Sequence, residues 1–202
     1  MRRLLPLMLA SALMAPPAIA QIVSGDYGPL VLAVDGDRIA GAFSDALVGN
    51  GTPDAPQFRC LFLIEGPLDA GAGRIAARMP GEPGSIAGRL ETTPAGVRLT
   101  LDSNPPGCAA VAPLAGSGQN LARGASGAAI GGALLTAARA VIQTGPAEDP
   151  ARTRPWLVRW DPVAVLAVRG DWAEIEYAGG PAPVRGWLRA ADLALALARR
   201  PD

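Results

Sequence analysis

The 202-residue sequence predicts an all-β protein, with an antiparallel β sandwich or barrel in the N-terminal half and a second, small barrel toward the C-terminus. Three observations predict it. Apolar residues recur with a period of two, as where Val97, Leu99 and Leu101 alternate with Arg98, Thr100 and Asp102, so that one face of a strand is dry and the other wet. The 25 Gly and 20 Pro cut the chain into short runs and oppose long helices. The aromatic residues are also partitioned. Phe43, Phe58 and Phe62 all precede residue 63, whereas Trp156, Trp160, Trp172 and Trp187 all follow residue 155. Two separate cores, each with its own bulky fillers, explain that division.

The N-terminus reads as a leader. Met1-Arg2-Arg3 is cationic, Leu4 to Ala15 is an apolar stretch broken only by Pro6 and Ser11, and Ala18-Ile19-Ala20 places small residues before Gln21. This is the plan of a secretory signal peptide over residues 1–20, cleaved between Ala20 and Gln21. An uncleaved anchor would need about 18 or more apolar residues. The expected protein is therefore periplasmic or secreted, with no integral membrane span after leader removal.

The next segment, 21–115, reads as a disulfide-stapled β domain. Leu30, Leu32 and Val34 share one face of a strand, and Asp35-Gly36-Asp37 turns the chain into Arg38 to Ser44, a strong hairpin signal. Gln57 to Glu65 forms a third strand. Ser85 to Glu91 and Val97 to Asp102 form a second hairpin around Thr93-Pro94-Ala95-Gly96. No helix is expected before residue 115. Cys60 and Cys108 are the only cysteines; in an oxidising compartment they are expected to pair, closing a loop whose chain entropy corresponds to roughly 4 kcal/mol. Residues 116–138, rich in Ala and Gly, read as a linker with a short helical turn.

From Arg139 the chain returns to short strands, Arg139 to Thr144, Trp156 to Arg159, Val163 to Arg169, Ala173 to Tyr177 and Val184 to Leu188, which fit a small closed or half-closed barrel. Here Trp156-Leu157-Val158, Asp161 to Leu166, Gly170-Asp171-Trp172, Ile175-Glu176-Tyr177, Gly186-Trp187-Leu188 and Asp192-Leu193 together resemble the bacterial SH3-like (SH3b) domain over residues 139–195. A tail, 196–202, follows. The chain departs from the family at Trp160, where a glycine is usual, with Pro162 two positions on. The resemblance implies a binding module for an envelope peptide, a peptidoglycan fragment or a protein. More faintly, Gly25-Asp26-Tyr27-Gly28 and Gly41-Ala42-Phe43 resemble the openings of calycin barrels, which would imply a ligand cup or an inhibitor-like face.

Composition narrows the chemistry. The chain has no His and no Lys; all 18 basic residues are Arg, against 18 acids. Without imidazole there is no Ser-His or Cys-His couple and no ordinary zinc hydrolase site. Without Lys there is no Schiff base or P-loop lysine. A balance this close to neutral, −2 once Arg2 and Arg3 are lost, argues against nucleic acid as a partner. Asp26, Asp35 and Asp37 read as turn residues, not as a metal site. Glu65 and Glu91 are the least trivially solvent-facing acids and form no informative pair. The expectation is a non-enzymatic binding or adaptor protein without a cofactor, its candidate ligand-binding residues being Trp156, Arg159, Trp160 and Tyr177. Trp172 and Trp187 are expected to fill the small barrel. The alternative is a small-ligand carrier or hydrolase inhibitor that uses the N-terminal β domain.

Overall fold

The computed structural model describes residues 21–49, 52, 57–69, 71–125, 127–148 and 154–199. The expected leader and its cleavage lie outside these residues. The chain is all-β, as its alternation requires. Eight strands follow one another as an antiparallel meander: β1 (Gly25–Tyr27), β2 (Leu30–Asp35), β3 (Arg38–Leu47), β4 (Phe58–Asp69), β5 (Ala72–Arg78), β6 (Ile86–Thr93), β7 (Gly96–Leu101) and β8 (Gln119–Ala122). The sheet curls into a near-closed barrel. Residues just beyond β8 return to β1, where Gly124 N–H donates to Asp26 O (2.8 Å) and Asp26 N–H donates to Ala125 O (2.9 Å).

The interior is packed. Phe43 on β3 lies opposite Phe62 on β4, with their rings stacked 4.8 Å apart. Around them Tyr27, Leu30, Leu32, Ile39, Ile64, Leu90, Val97, Leu99 and Leu101 are buried in one cluster. One end is closed by a one-turn helix, α1 (Cys108–Val111), which the sequence did not foretell. Its Cys108 is bonded to Cys60 of β4, and Ala112 and Leu114 join the barrel core. Gly107, just before the helix, has φ +80°, and a Cβ there would lie 2.2 Å from the Arg59 carbonyl oxygen, so the plug seats only with glycine at that turn.

Strands β5 to β7 alternate buried and exposed residues, whereas β2, β3 and the middle of β4 are buried on both faces. The C-terminal part covers those outer faces. It contains β9 (Gly131–Leu135), β10 (Arg139–Val141), β11 (Trp156–Val158), β12 (Pro162–Arg169), β13 (Trp172–Tyr177), β14 (Val184–Arg189) and β15 (Leu193–Leu197), with a 3₁₀ turn at Ala190–Asp192. Five of these strands form one sheet in the order β14-β13-β12-β9-β15, and β10 and β11 pair as a separate two-stranded ribbon. A core of Leu135, Leu157, Val163, Val165, Ala173, Ile175, Leu188 and Leu193 fills this unit.

Two expected boundaries change. The stretch 116–138 is not a linker with a helical turn, because β8 closes the first barrel and β9 is the central strand of the second sheet's β12-β9-β15 side. Glycines that would weaken a helix serve here as points of close approach: a Cβ on Gly132 would lie 2.6 Å from the backbone nitrogen of Ala42. Nor does a tail begin at 196. Ala196 and Ala198 are buried in the seam between the barrels with Ala33, Ala40, Ala42, Leu63 and Leu134. Just beyond, Arg199 grips Asp35 through Nε (2.9 Å) and Nη2 (2.7 Å).

Candidate binding surface

The pleat of the second sheet sorts its aromatic residues. Trp172 lies opposite Arg189, Glu174 opposite Trp187 and Glu176 opposite Arg185, whereas Ala173 lies opposite Leu188. Because Ala173 and Leu188 face the core, Trp172 and Trp187 stand on the other face. Both are buried, yet neither fills the small barrel as expected. Guanidinium groups cover them instead, with Arg189 4.4 Å from the Trp172 ring and Arg169 5.4 Å from the Trp187 ring. Arg189 is fixed in turn by Glu148 at 3.0 Å.

The ribbon is different. Ala140 and Leu157 turn inward, and Arg139, Val141, Trp156 and Val158 are exposed together on its outer face. The register places Val141 opposite Trp156 and Arg139 opposite Val158. The Arg139 guanidinium sits 4.3 Å above the Trp156 ring, close enough for a cation–π contact. A half-exposed tryptophan between two exposed valines costs free energy in water, and such a patch marks a surface available for contact. Of these residues only Trp156 stands out in the sequence. The alternation of Arg139-Ala140-Val141 and Trp156-Leu157-Val158 is the signal that could have completed the set.

Trp160 lies elsewhere. It is the only non-glycine described residue with positive φ, at 77°. Its N–H donates to Leu135 O (2.7 Å), and its carbonyl accepts from Ser44 Oγ of β3 (2.9 Å). The indole packs into the alanine-rich seam beside Leu61. Two barrels thus hold the backbone in a conformation that costs an ordinary L-residue about 1–2 kcal/mol. Arg159 is exposed, donates from Nε to Thr136 O (2.9 Å) and lies 6.0 Å from the Trp160 ring. The structure therefore joins Arg159 with Trp160, while Trp156 belongs to the ribbon face.

Tyr177 is half-buried and packs against the second core. Burial pushes its hydroxyl above the usual phenol value, and the charge of Asp161 adds to the effect. Asp161 is itself raised by burial, partly offset by the Val158 N–H that donates to its Oδ2 (2.8 Å) and by the Arg59 guanidinium of β4. Asp161 thus sits where the two barrels meet.

The acids weighed for catalysis or metal binding are dispersed. Asp26 Oδ1 accepts from Gly28 N–H (2.7 Å), Asp35 is held by Arg199, and Glu65 lies 3.5 Å from Arg78. Glu91 borders an open groove of about 520 Å³ with Pro94, Arg98 and Asn120. A narrower cleft of about 50 Å³ lies between the barrels, lined by Val31, Ala129, Ala164 and Leu166 with Asp26 and Glu176. No described helix is long and apolar enough to cross a membrane. Compared with family models, curated proteins and solved structures, the chain matches none.

Proposed function

We propose that this chain is an exported, non-catalytic binding or adaptor protein of the cell envelope, working through an SH3-like C-terminal module that contacts a peptide, a peptidoglycan fragment or a protein. The observation that carries this reading is the exposed Trp156 face of the ribbon, with Val141, Val158 and Arg139 beside it. A five-stranded sheet with a 3₁₀ turn before its last strand supports the SH3-like assignment. The Cys60–Cys108 bridge supports an oxidising compartment such as the periplasm, and the absence of His and Lys supports contact over bond-making. A ligand carrier or hydrolase inhibitor built on the first barrel would have to use its outer surface, because Tyr27, Phe43 and Phe62 occupy the inside.

Pull-down with the purified chain from cell-wall sacculi and envelope extract tests the proposal. Specific retention that Trp156→Ala abolishes, with unchanged thermal unfolding, is the expected result. No retained component, or retention indifferent to Trp156→Ala, would overturn it.

A further inference from the structure

The cleft of about 50 Å³ between the barrels is walled by two strand pairs. On β1 and β2, Asp26 lies opposite Val31. The neighbouring Tyr27, Leu30 and Leu32 belong to the first core, so Asp26 and Val31 stand on the outer face. On β12 and β13, Ala164 lies opposite Glu176, while Val163, Val165 and Ile175 fill the second core. Each barrel thus brings one carboxylate and one apolar side chain to the same cleft. Ala129 and Leu166 extend its apolar wall.

The charge at the cleft is negative. Asp26 Oδ1 accepts from Gly28 N–H (2.7 Å), and Oδ2 has no hydrogen-bond partner among the described residues. Glu176 Oε2 accepts from Arg185 Nε. Arg185 is mostly exposed and reaches Glu176 from β14, on the side away from Ala164. Its guanidinium is also attracted by Glu174, so one cation is shared between two acids before Asp26 is counted. Arg123 lines a different groove, with Gln21 and Tyr27. We infer that the cleft binds a primary ammonium group on a short aliphatic stem, with the stem against Val31, Ala129, Ala164 and Leu166 and the ammonium between Asp26 and Glu176. The chain has no Lys and so no ammonium side chain of its own to place there. The ligand comes from another molecule, as a lysine side chain of a peptide or as a free alkylamine. Size selects ammonium over guanidinium. At about 10–15 Å³ for each water-sized atom, the cleft holds about four, which suits a compact ammonium and its last carbons. A planar guanidinium takes that many by itself and leaves no room for a stem. This site is separate from the Trp156 face and stands without the adaptor reading.

The test is titration of the purified, isotope-labelled chain with n-butylammonium, read by backbone amide chemical shifts. Saturable shifts at Val31 and Ala164, one on each wall, are the expected result. Asp26→Asn, which keeps an acceptor for the Gly28 N–H, and Glu176→Gln are each expected to weaken binding about fivefold, with thermal unfolding unchanged. Trp156→Ala is expected to bind as the parent does. Equal shifts with n-butanol would overturn the role of charge, and equal or tighter binding of n-butylguanidinium would overturn the choice of ammonium. Shifts confined to the ribbon and lost with Trp156→Ala would put the amine on the exposed indole and overturn the cleft. Parental affinity in both carboxylate variants would overturn it too. A capped Gly-Lys-Gly peptide separates the two sources. Shifts of the same two amides assign a lysine side chain, whereas no response to the peptide beside a clear response to n-butylammonium assigns a free alkylamine. No response to either, with Trp156-dependent envelope capture intact, would sink this inference alone.

Discussion

Trp160 shows how a single residue can answer to two domains. Its left-handed backbone is stabilised by a bond from each barrel and by an indole half-buried against the seam. Replacing the side chain by Ala or by Gly removes the same packing, but only Ala keeps the penalty of positive φ. Trp160→Gly is therefore expected to be more stable than Trp160→Ala by about 1 kcal/mol, the reverse of the usual order within a strand. Urea unfolding of the pair measures this, and an Ala variant more stable than the Gly variant would remove the strain argument. Asp161 gives a second residue-scale expectation. Burial raises its folded pKa above the ordinary 3.8, so the native state binds this proton more tightly than the unfolded chain. The contribution of Asp161 to stability therefore falls as pH rises from 3.8 through the folded value. Asp35 runs the other way. The bonds from Arg199 lower its pKa, and the stability they give is lost as pH falls below the usual value. Asp161→Asn retains an acceptor for the Val158 N–H and cannot ionise, so relative to the parent it is expected to gain stability as pH rises from about 3 to about 7. A constant difference across that range would mean that Arg59 and the Val158 N–H fully offset the burial.

Among the elements, β9 depends most on the absence of a side chain. Gly132 faces the backbone of β3 so closely that a Cβ would overlap Ala42 N and Gly41 C, at 2.6 and 2.8 Å. Gly132→Val is expected to cost about 2 kcal/mol or more. Gly127→Val, where a Cβ meets nothing within 4 Å, should stay within about 0.5 kcal/mol. Denaturant midpoints of the two variants check the contrast. The same glycines explain what could and could not be read from the chain. The Leu30–Asp35 and Arg38–Leu47 hairpin was legible because Asp35-Gly36-Asp37 states its own turn. The hairpin of β6 and β7 was legible because Leu90, Val97, Leu99 and Leu101 alternate with polar residues. β9 was not, because Gly131-Gly132-Ala133 is strand-like only when another sheet packs onto it. β5 was missed because Ala and Gly supply most of its seven residues, leaving Ile75 as its one large apolar side chain. Of the candidate surface, Trp156 was legible as an aromatic in a short strand. Its neighbours were not, since no local pattern tells which face of a two-stranded ribbon lacks a cover. Trp172 and Trp187 were misplaced for a related reason: arginine stems and guanidinium groups bury an indole on the outer face of a sheet.

At the scale of the molecule, the near-continuous apolar runs of β2, β3 and β4 are the trace of the second barrel, because strands buried on both faces lose their alternation. The seam they build is mostly alanine. It draws the two sheets close, and the grip of Arg199 on Asp35 joins residues 164 apart in sequence. Barrels joined in this way should unfold as one. The molecule offers a direct test, since all four tryptophans lie in the C-terminal barrel, whereas far-UV circular dichroism reports strands of both. The two signals are expected to share one urea midpoint. Reduction of Cys60–Cys108 carries the argument further. The bridge closes a separation of 48 residues within the N-terminal part, and its loss relaxes the unfolded chain by up to about 4 kcal/mol. Neither cysteine belongs to the C-terminal core. If the seam couples the barrels, tryptophan fluorescence must nevertheless shift to a lower midpoint on reduction, in step with the dichroism. Were the dichroism to split into two phases, with the tryptophan midpoint unmoved, the barrels would be independent units and the alanine-rich seam would not couple their unfolding.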